Sequence, residues 1–230
     1  MSFLCCCFCC CSSKEQQLLS ACKYGTLTTV EKLLQTNKKG PKAINFDVSN
    51  EYGETGLMYA SFAGHIDIVR ALVEQGDVDI DKVDNDGATA LMLASHQGHL
   101  HVVQFLIQHD ADLNKVNKYG GSSLILASQQ GHLDVVKLLI EHGALLDLKT
   151  RTGQTAKDLA IHNGKIDVVN LLDNAYTLQI RVHHMNDVGT SSPTTTSSSS
   201  RSGTPPPPTS PPATPIPGKP ETEDSRKELI

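Results

Sequence analysis

Imidazoles and thiols are the side chains of this chain best suited to chemistry, and neither group is arranged for catalysis. Ten histidines and seven cysteines stand among 230 residues. His96, His99, His101 and His109 lie close in sequence, yet no cysteine or carboxylate accompanies them at a recognisable zinc spacing. A search for nucleophile and base is emptier: the chain has no Gly-rich phosphate loop, no G-x-S-x-G elbow and no H-E-x-x-H pair. No enzyme activity, cofactor or metal is therefore expected. Six of the cysteines (Cys5, Cys6, Cys7, Cys9, Cys10 and Cys11) crowd into the opening "MSFLCCCFCCCSSK" beside Phe3, Leu4 and Phe8. What they are for depends on what they are attached to.

Cysteine and proline usage divides the chain into three. Ten of the eleven prolines follow residue 192, six of the seven cysteines precede residue 12, and the body between retains only Cys22. A disulfide framework for the body is thereby excluded, and a reducing compartment is the simpler setting. The formal net charge is -5, with no basic stripe of the kind that binds nucleic acid electrostatically. No run approaches the roughly 20 apolar residues of a membrane-spanning helix.

The body repeats itself. "YGETGLMYASFAGHIDIVRALVEQG", "DGATALMLASHQGHLHVVQFLIQHD", "YGGSSLILASQQGHLDVVKLLIEHG" and "TGQTAKDLAIHNGKIDVVNLLDNAY" align by eye. Their opening glycines, Gly53, Gly87, Gly120 and Gly153, are separated by 34, 33 and 33 residues, and Gly64, Gly98, Gly131 and Gly164 repeat those intervals. Each unit places Thr or Ser (Thr55, Thr89, Ser122, Thr155) ahead of a short helical pattern, where its hydroxyl caps free amides. A glycine then stops that helix in the left-handed conformation. A second helix follows, with Leu100, Val103 and Ile107 in one unit forming a single apolar stripe that needs a neighbour to cover it.

These segments resemble ankyrin repeats, whose period is about 33 residues and whose unit is a β-turn with two helices around T-P-L-H-x-A. The matches are "TGLMYA", "TALMLA", "SSLILA" and "TAKDLA", each followed by "GH" or "GK". A weaker first unit carries Ala21, Gly25, Leu27, Val30, Leu33 and Leu34 on the same template. The resemblance implies an all-α solenoid over residues 14–177, with units near 14–49, 50–83, 84–116, 117–149 and 150–177. It also implies structural roles for His65, His99 and His132 in "GH". The family's motif histidine is replaced by Met58, Met92, Ile125 and Asp158, so its usual Thr–His network is not expected, and apolar packing should take its place. Asp110 stands where Gly76 and Gly143 close their units, a weak point because Asp accepts the left-handed conformation less well than Gly. Lys157 and Asp158 bring charge to the last unit, as a stack end requires.

Proteins of this family bind other proteins on the concave surface of turn tips and first helices. Carried over position by position, Tyr52, Tyr59, Phe62, Asp86, Leu93, His96, Tyr119, Leu126, Gln129 and Arg151 are the candidate protein-binding residues. The aromatics are the expected anchors. The alternative for Tyr59 and Leu93 is that they merely shield the core between units. The partner is unspecified and the chain itself is expected to be a monomer.

Both flanks carry expectations of their own. Residues 178–230, with "TSSPTTTSSSSRSGTPPPPTSPPATPIPGKP", have too few apolar side chains to offset ordering entropy and are expected to be disordered. "PPPPTSPP" offers a polyproline helix to an SH3-like or WW-like domain, or serves as a spacer. Ser192, Thr204, Ser210 and Thr214 each precede a proline and are candidate phosphorylation sites. For residues 1–13, contiguous cysteines make poor chelating loops, and a secretory leader lacks its positive n-region and cleavage site. Ser2 after Met1 excludes myristoylation. S-acylation remains, and two chains suffice for stable attachment at about 0.8 kcal/mol per buried methylene. The expected function is a non-catalytic adaptor held by acylated cysteines at the cytosolic face of a membrane. Its rival is a soluble regulator whose cysteines respond to redox state or metal.

Overall fold

The computed structural model describes residues 14–37 and 44–187. Cys5 to Cys11, the proline-rich segment and the four candidate phosphorylation sites lie outside the described residues. Ten helices occur among those described, in five pairs: α1 (Lys14–Tyr24) with α2 (Leu27–Asn37), α3 (Gly56–Ala63) with α4 (Ile66–Gln75), α5 (Ala90–Gln97) with α6 (Leu100–Gln108), α7 (Ser123–Gln130) with α8 (Leu133–Glu141), and α9 (Ala156–His162) with α10 (Ile166–Asp187). The first helices form one continuous row and the second helices another. The first row is the more extensively packed of the two.

Local chemistry sets each boundary. The hydroxyls of Thr55, Thr89, Ser122 and Thr155 accept from the amides of Met58, Met92, Ile125 and Asp158, capping four of the five first helices as expected. Gly64, Gly98 and Gly131 end three of them at φ 77, 80 and 88°. These glycines also admit a neighbour. A Cβ at Gly98 would lie 2.5 Å from His132 Nδ1, and one at Gly64 would lie 2.7 Å from the His99 ring. The "GH" pair is thus an inter-unit joint, with the histidine of one unit lying on the glycine of the unit before. His99 Nε2 and His132 Nε2 complete the joint at 3.0 Å from the carbonyls of Phe62 and His96. Between α9 and α7 the aliphatic stem of Lys165 takes the ring's place against Gly131.

Leu57, Leu91 and Leu124 of the first helices and Leu72, Leu106 and Leu139 of the second are at most 2% exposed and belong to one hydrophobic core. Each such side chain contributes about 1.5–3 kcal/mol by leaving water. Met58, Met92 and Ile125 are buried to the same degree, so packing replaces the Thr–His network in three units, and in the first of these Met58 Sδ also accepts from the Thr55 amide at 3.4 Å. The last unit differs. There the Asp158 carboxylate accepts from the Thr155 amide at 2.9 Å and the Thr155 hydroxyl at 2.8 Å, rebuilding a polar network at an exposed end.

Two further details depart from expectation. Gly76 is right-handed at φ -92°, and the left-handed residue of its unit is Asp77 at φ 51°, matching Asp110 at φ 63° and Gly143 at φ 86°. The extra residue of the 34-residue interval lengthens α4 by one, which moves Gly76 onto the helix end and leaves two aspartates, rather than Asp110 alone, in the strained position. Helix α10 continues to Asp187, ten residues past the expected boundary at 177. From Lys165 to Val188 the sequence has no glycine or proline to stop it. None of the described helices is long and apolar enough to cross a membrane.

Candidate functional site

Between one helix pair and the next the chain projects turns whose shape is set by a short polar side chain. Asn50 Oδ1 accepts from the amides of Tyr52 and Glu54, both at 2.9 Å, and Asp84 and Asn117 repeat the pattern two and four residues ahead of themselves. In the last turn Thr150 Oγ1 accepts from the Gln154 amide at 3.1 Å. Successive turns are tied by backbone bonds from Asn85 N to Tyr52 O (2.9 Å), Lys118 N to Asp86 O (2.8 Å) and Arg151 N to Tyr119 O (2.9 Å). The four fingers therefore form a row at fixed spacing. Its underside is tied too: Asp81 accepts from the Asp112 amide and lies 3.8 Å from Lys115, and Asn114 accepts from the Leu145 amide at 2.9 Å.

A groove of about 640 Å³ opens beside the first finger, lined by Lys23, Tyr52, Glu54, Met58, Tyr59, Phe62, Ala63 and Leu93. It is largely apolar, with a polar margin. Tyr59 OH donates to Glu54 Oε2 at 2.6 Å, and Asn50 Nδ2 reaches both Glu54 Oε2 (2.8 Å) and Tyr59 OH (2.9 Å). Burial first, and the Glu54 carboxylate second, push the Tyr59 phenol up to about 12, so it stays a donor at neutral pH. Lys23 Nζ sits 5.6 Å from the Tyr59 ring centroid, within cation–π range. The groove thus has a fixed phenol at its wall and apolar surface that no described residue covers. Tyr52 is 62% exposed and Phe62 48%.

Of the ten candidate residues, the fold brings Tyr52, Tyr59, Phe62 and Leu93 together in this groove. Tyr59 and Leu93 also pack against the core, so the shielding role and the groove role coexist in them. Asp86, Tyr119 and Arg151 stand exposed on the fingers. His96 lies 2.9 Å from the Gln130 amide of the next first helix, and the Gln129 carbonyl accepts from Asn163 at 3.1 Å. Both residues link successive units, His96 through its ring and Gln129 through its backbone. Leu126 is half-buried on α7. Sequence reasoning missed Lys23, which lies in the first and weakest-matching unit, and Asn50, which stands at the boundary between the first two units and does not stand out by type.

Three of the groups able to do chemistry are otherwise engaged. Cys22 is fully buried against Gly56, and burial pushes its thiol up to about 12, which makes it a poor nucleophile. His109 and His142 lie 2.9 Å from the carbonyls of Phe105 and Leu138 on their own helices. Among the described residues no group of three or more His, Cys, Asp or Glu could hold a metal ion.

Comparison with known proteins agrees with this architecture. A search of curated proteins returns no match. The family model described as ankyrin repeats (3 copies) matches residues 18–117 and 111–181. Paired helices, tied fingers and a match running over most of its length together establish that the chain belongs to the ankyrin-repeat family.

Proposed function

We propose that this protein is a non-catalytic adaptor that recruits another protein through its fingers and first helices while acylated cysteines near residue 1 hold it at the cytosolic face of a membrane. Ankyrin repeats mediate binding to other proteins, which supplies the general role. The observation that carries the specific reading is the groove of about 640 Å³, where Phe62, Tyr52 and the half-buried Tyr59 present apolar surface rimmed by a fixed phenol and a lysine. Amphipathic aromatics in such a setting are the usual anchors of a protein interface.

The tether rests on the Cys5–Cys11 cluster beside Phe3, Leu4 and Phe8. Thioester-linked chains at two of these thiols would give stable attachment, whereas one chain gives marginal binding. The test has two arms. Replacing Cys5, Cys6, Cys7, Cys9, Cys10 and Cys11 by serine should move the protein from the membrane fraction to the soluble one, and hydroxylamine should do the same to the unaltered chain. Unchanged fractionation in both cases ends the tether proposal. Independently, Tyr59→Ala with Phe62→Ala should lose the protein captured by the unaltered full chain, and retention of that protein ends the groove proposal.

A further inference from the structure

The fingers occupy equivalent positions in successive units, so their charges can be compared directly, and the charges are sorted. The finger 49–54 carries Glu51 and Glu54, and the finger 83–88 carries Asp84 and Asp86, with no lysine or arginine in either. The finger 116–121 carries Lys118, and the finger 149–154 carries Lys149 and Arg151, with no carboxylate in either. At one equivalent position the residue runs Glu51, Asn85, Lys118, Arg151 along the row, as the finger-to-finger backbone bonds define it. Glu51, Asp86, Lys118 and Arg151 are exposed and take part in none of the ion pairs among the described residues. The groove with Phe62 and Tyr59 opens at the acidic end of the finger row, with Lys23 from α1 as the cation in its lining.

We infer that the partner is an extended polypeptide segment with a fixed charge order: cationic residues over the first two fingers, an apolar anchor beside them in the groove, and anionic residues over the last two fingers. This rests on the reading that the finger side binds protein. A neutral or uniformly charged segment would leave one half of the row facing like charge or nothing, whereas a segment of opposite order would place like charges together at both ends. Electrostatic complementarity of this kind sets register and rejects wrong partners more than it adds affinity. Packed helices lie about 8–10 Å apart. Three such intervals separate the first finger from the fourth, about 25–30 Å, which an extended segment of about eight residues spans.

The test uses the full chain and labelled synthetic peptides of about twelve residues. One peptide has two lysines at one end, a Leu-Phe pair next to them and two glutamates at the other end, made in both chain directions. The other has the same composition with charges alternating. In low salt, one direction of the sorted peptide should bind about fivefold tighter than the alternating one, since four exposed pairs contribute a few tenths of a kcal/mol each. Glu51→Lys with Asp86→Lys should abolish that preference, as should Lys118→Glu with Arg151→Glu. Reversing all four should restore a preference only for a sorted peptide whose Leu-Phe pair adjoins the glutamates, which then lie over the first two fingers beside the groove, a result that damage to the fold cannot mimic. Equal affinity for sorted and alternating peptides, or no binding of either, overturns the charge order. The groove reading has its own readout in capture by the Tyr59→Ala, Phe62→Ala chain, so the two can fail separately.

Discussion

The third and the last units of the stack solve the same problem with opposite chemistry. In the third unit Met92 follows the capping Thr89 and is buried, and the glycine of its finger, Gly87, lies against the backbone of the next finger. In the last unit Asp158 follows Thr155 in the equivalent place and is exposed, and Gly153 and Gly164 have nothing within 4 Å of where a Cβ would stand. A helix start can therefore be held by packing where a neighbour supplies a surface, and by charge-assisted hydrogen bonds where none does. Lys157 reinforces this end by pairing with Asp173 of α10. The repeat is one template, adjusted by what lies beyond it.

The contrast can be broken most severely at the glycines that close the first helices. Gly98→Ala combines a left-handed backbone with a Cβ 2.5 Å from a ring atom, and should lower stability in urea unfolding by about 3 kcal/mol. Gly164→Ala keeps the backbone penalty without the contact and should lose only about 1 kcal/mol. Equal losses would mean that the inter-unit joint contributes nothing. Next in size, Met92→Ala should remove about 3 kcal/mol through a cavity, whereas Asp158→Ala should remove about 1 kcal/mol of hydrogen bonding at an exposed end.

Acid separates the two units as well. The Thr155 amide and hydroxyl hold the Asp158 carboxyl below its ordinary value. A depressed carboxylate adds stability above its unfolded pKa, near 4, and loses it as pH falls through the folded value. Stability curves of the unaltered chain and Asp158→Asn should therefore lie apart at neutral pH and converge on acidification, while those of the unaltered chain and Met92→Ala stay parallel. Smaller still are two gains. Ser95 Oγ is buried without a hydrogen-bond partner, so Ser95→Ala should stabilise by about 1 kcal/mol. Asp110→Gly relieves left-handed strain and, after the added freedom of glycine in the unfolded chain, should leave a net gain of about 0.5 kcal/mol in urea unfolding.

Much of this architecture was legible in the residues because a solenoid repeats its instructions. Caps at Thr55, Thr89, Ser122 and Thr155 and the glycines at 64, 98 and 131 follow from elementary backbone chemistry written several times over. The register of Gly76 was not legible, because one extra residue in a 34-residue interval can fall anywhere between two markers. Asp77 lies one residue further on and gives no sign by its type that it is the left-handed one. The length of α10 was misjudged because residues 178–187 resemble neither the repeat nor the Ser/Thr/Pro-rich stretch beyond. At the site, alignment exposed the variable finger positions, but the union of Tyr59, Glu54, Asn50 and Lys23 depends on three-dimensional closeness across two units. The charge order of the fingers was present in the sequence from the start. It becomes visible only when equivalent positions are superimposed.

The most direct test is site-specific photocrosslinking in cells. A photoreactive phenylalanine analogue placed at Phe62, beside the groove, and separately at Tyr119 on the third finger should each trap a second protein. The same analogue at Lys137, exposed on α8 in the second-helix row, should trap none. Crosslinks at Lys137 with none at Phe62 or Tyr119 would contradict the account.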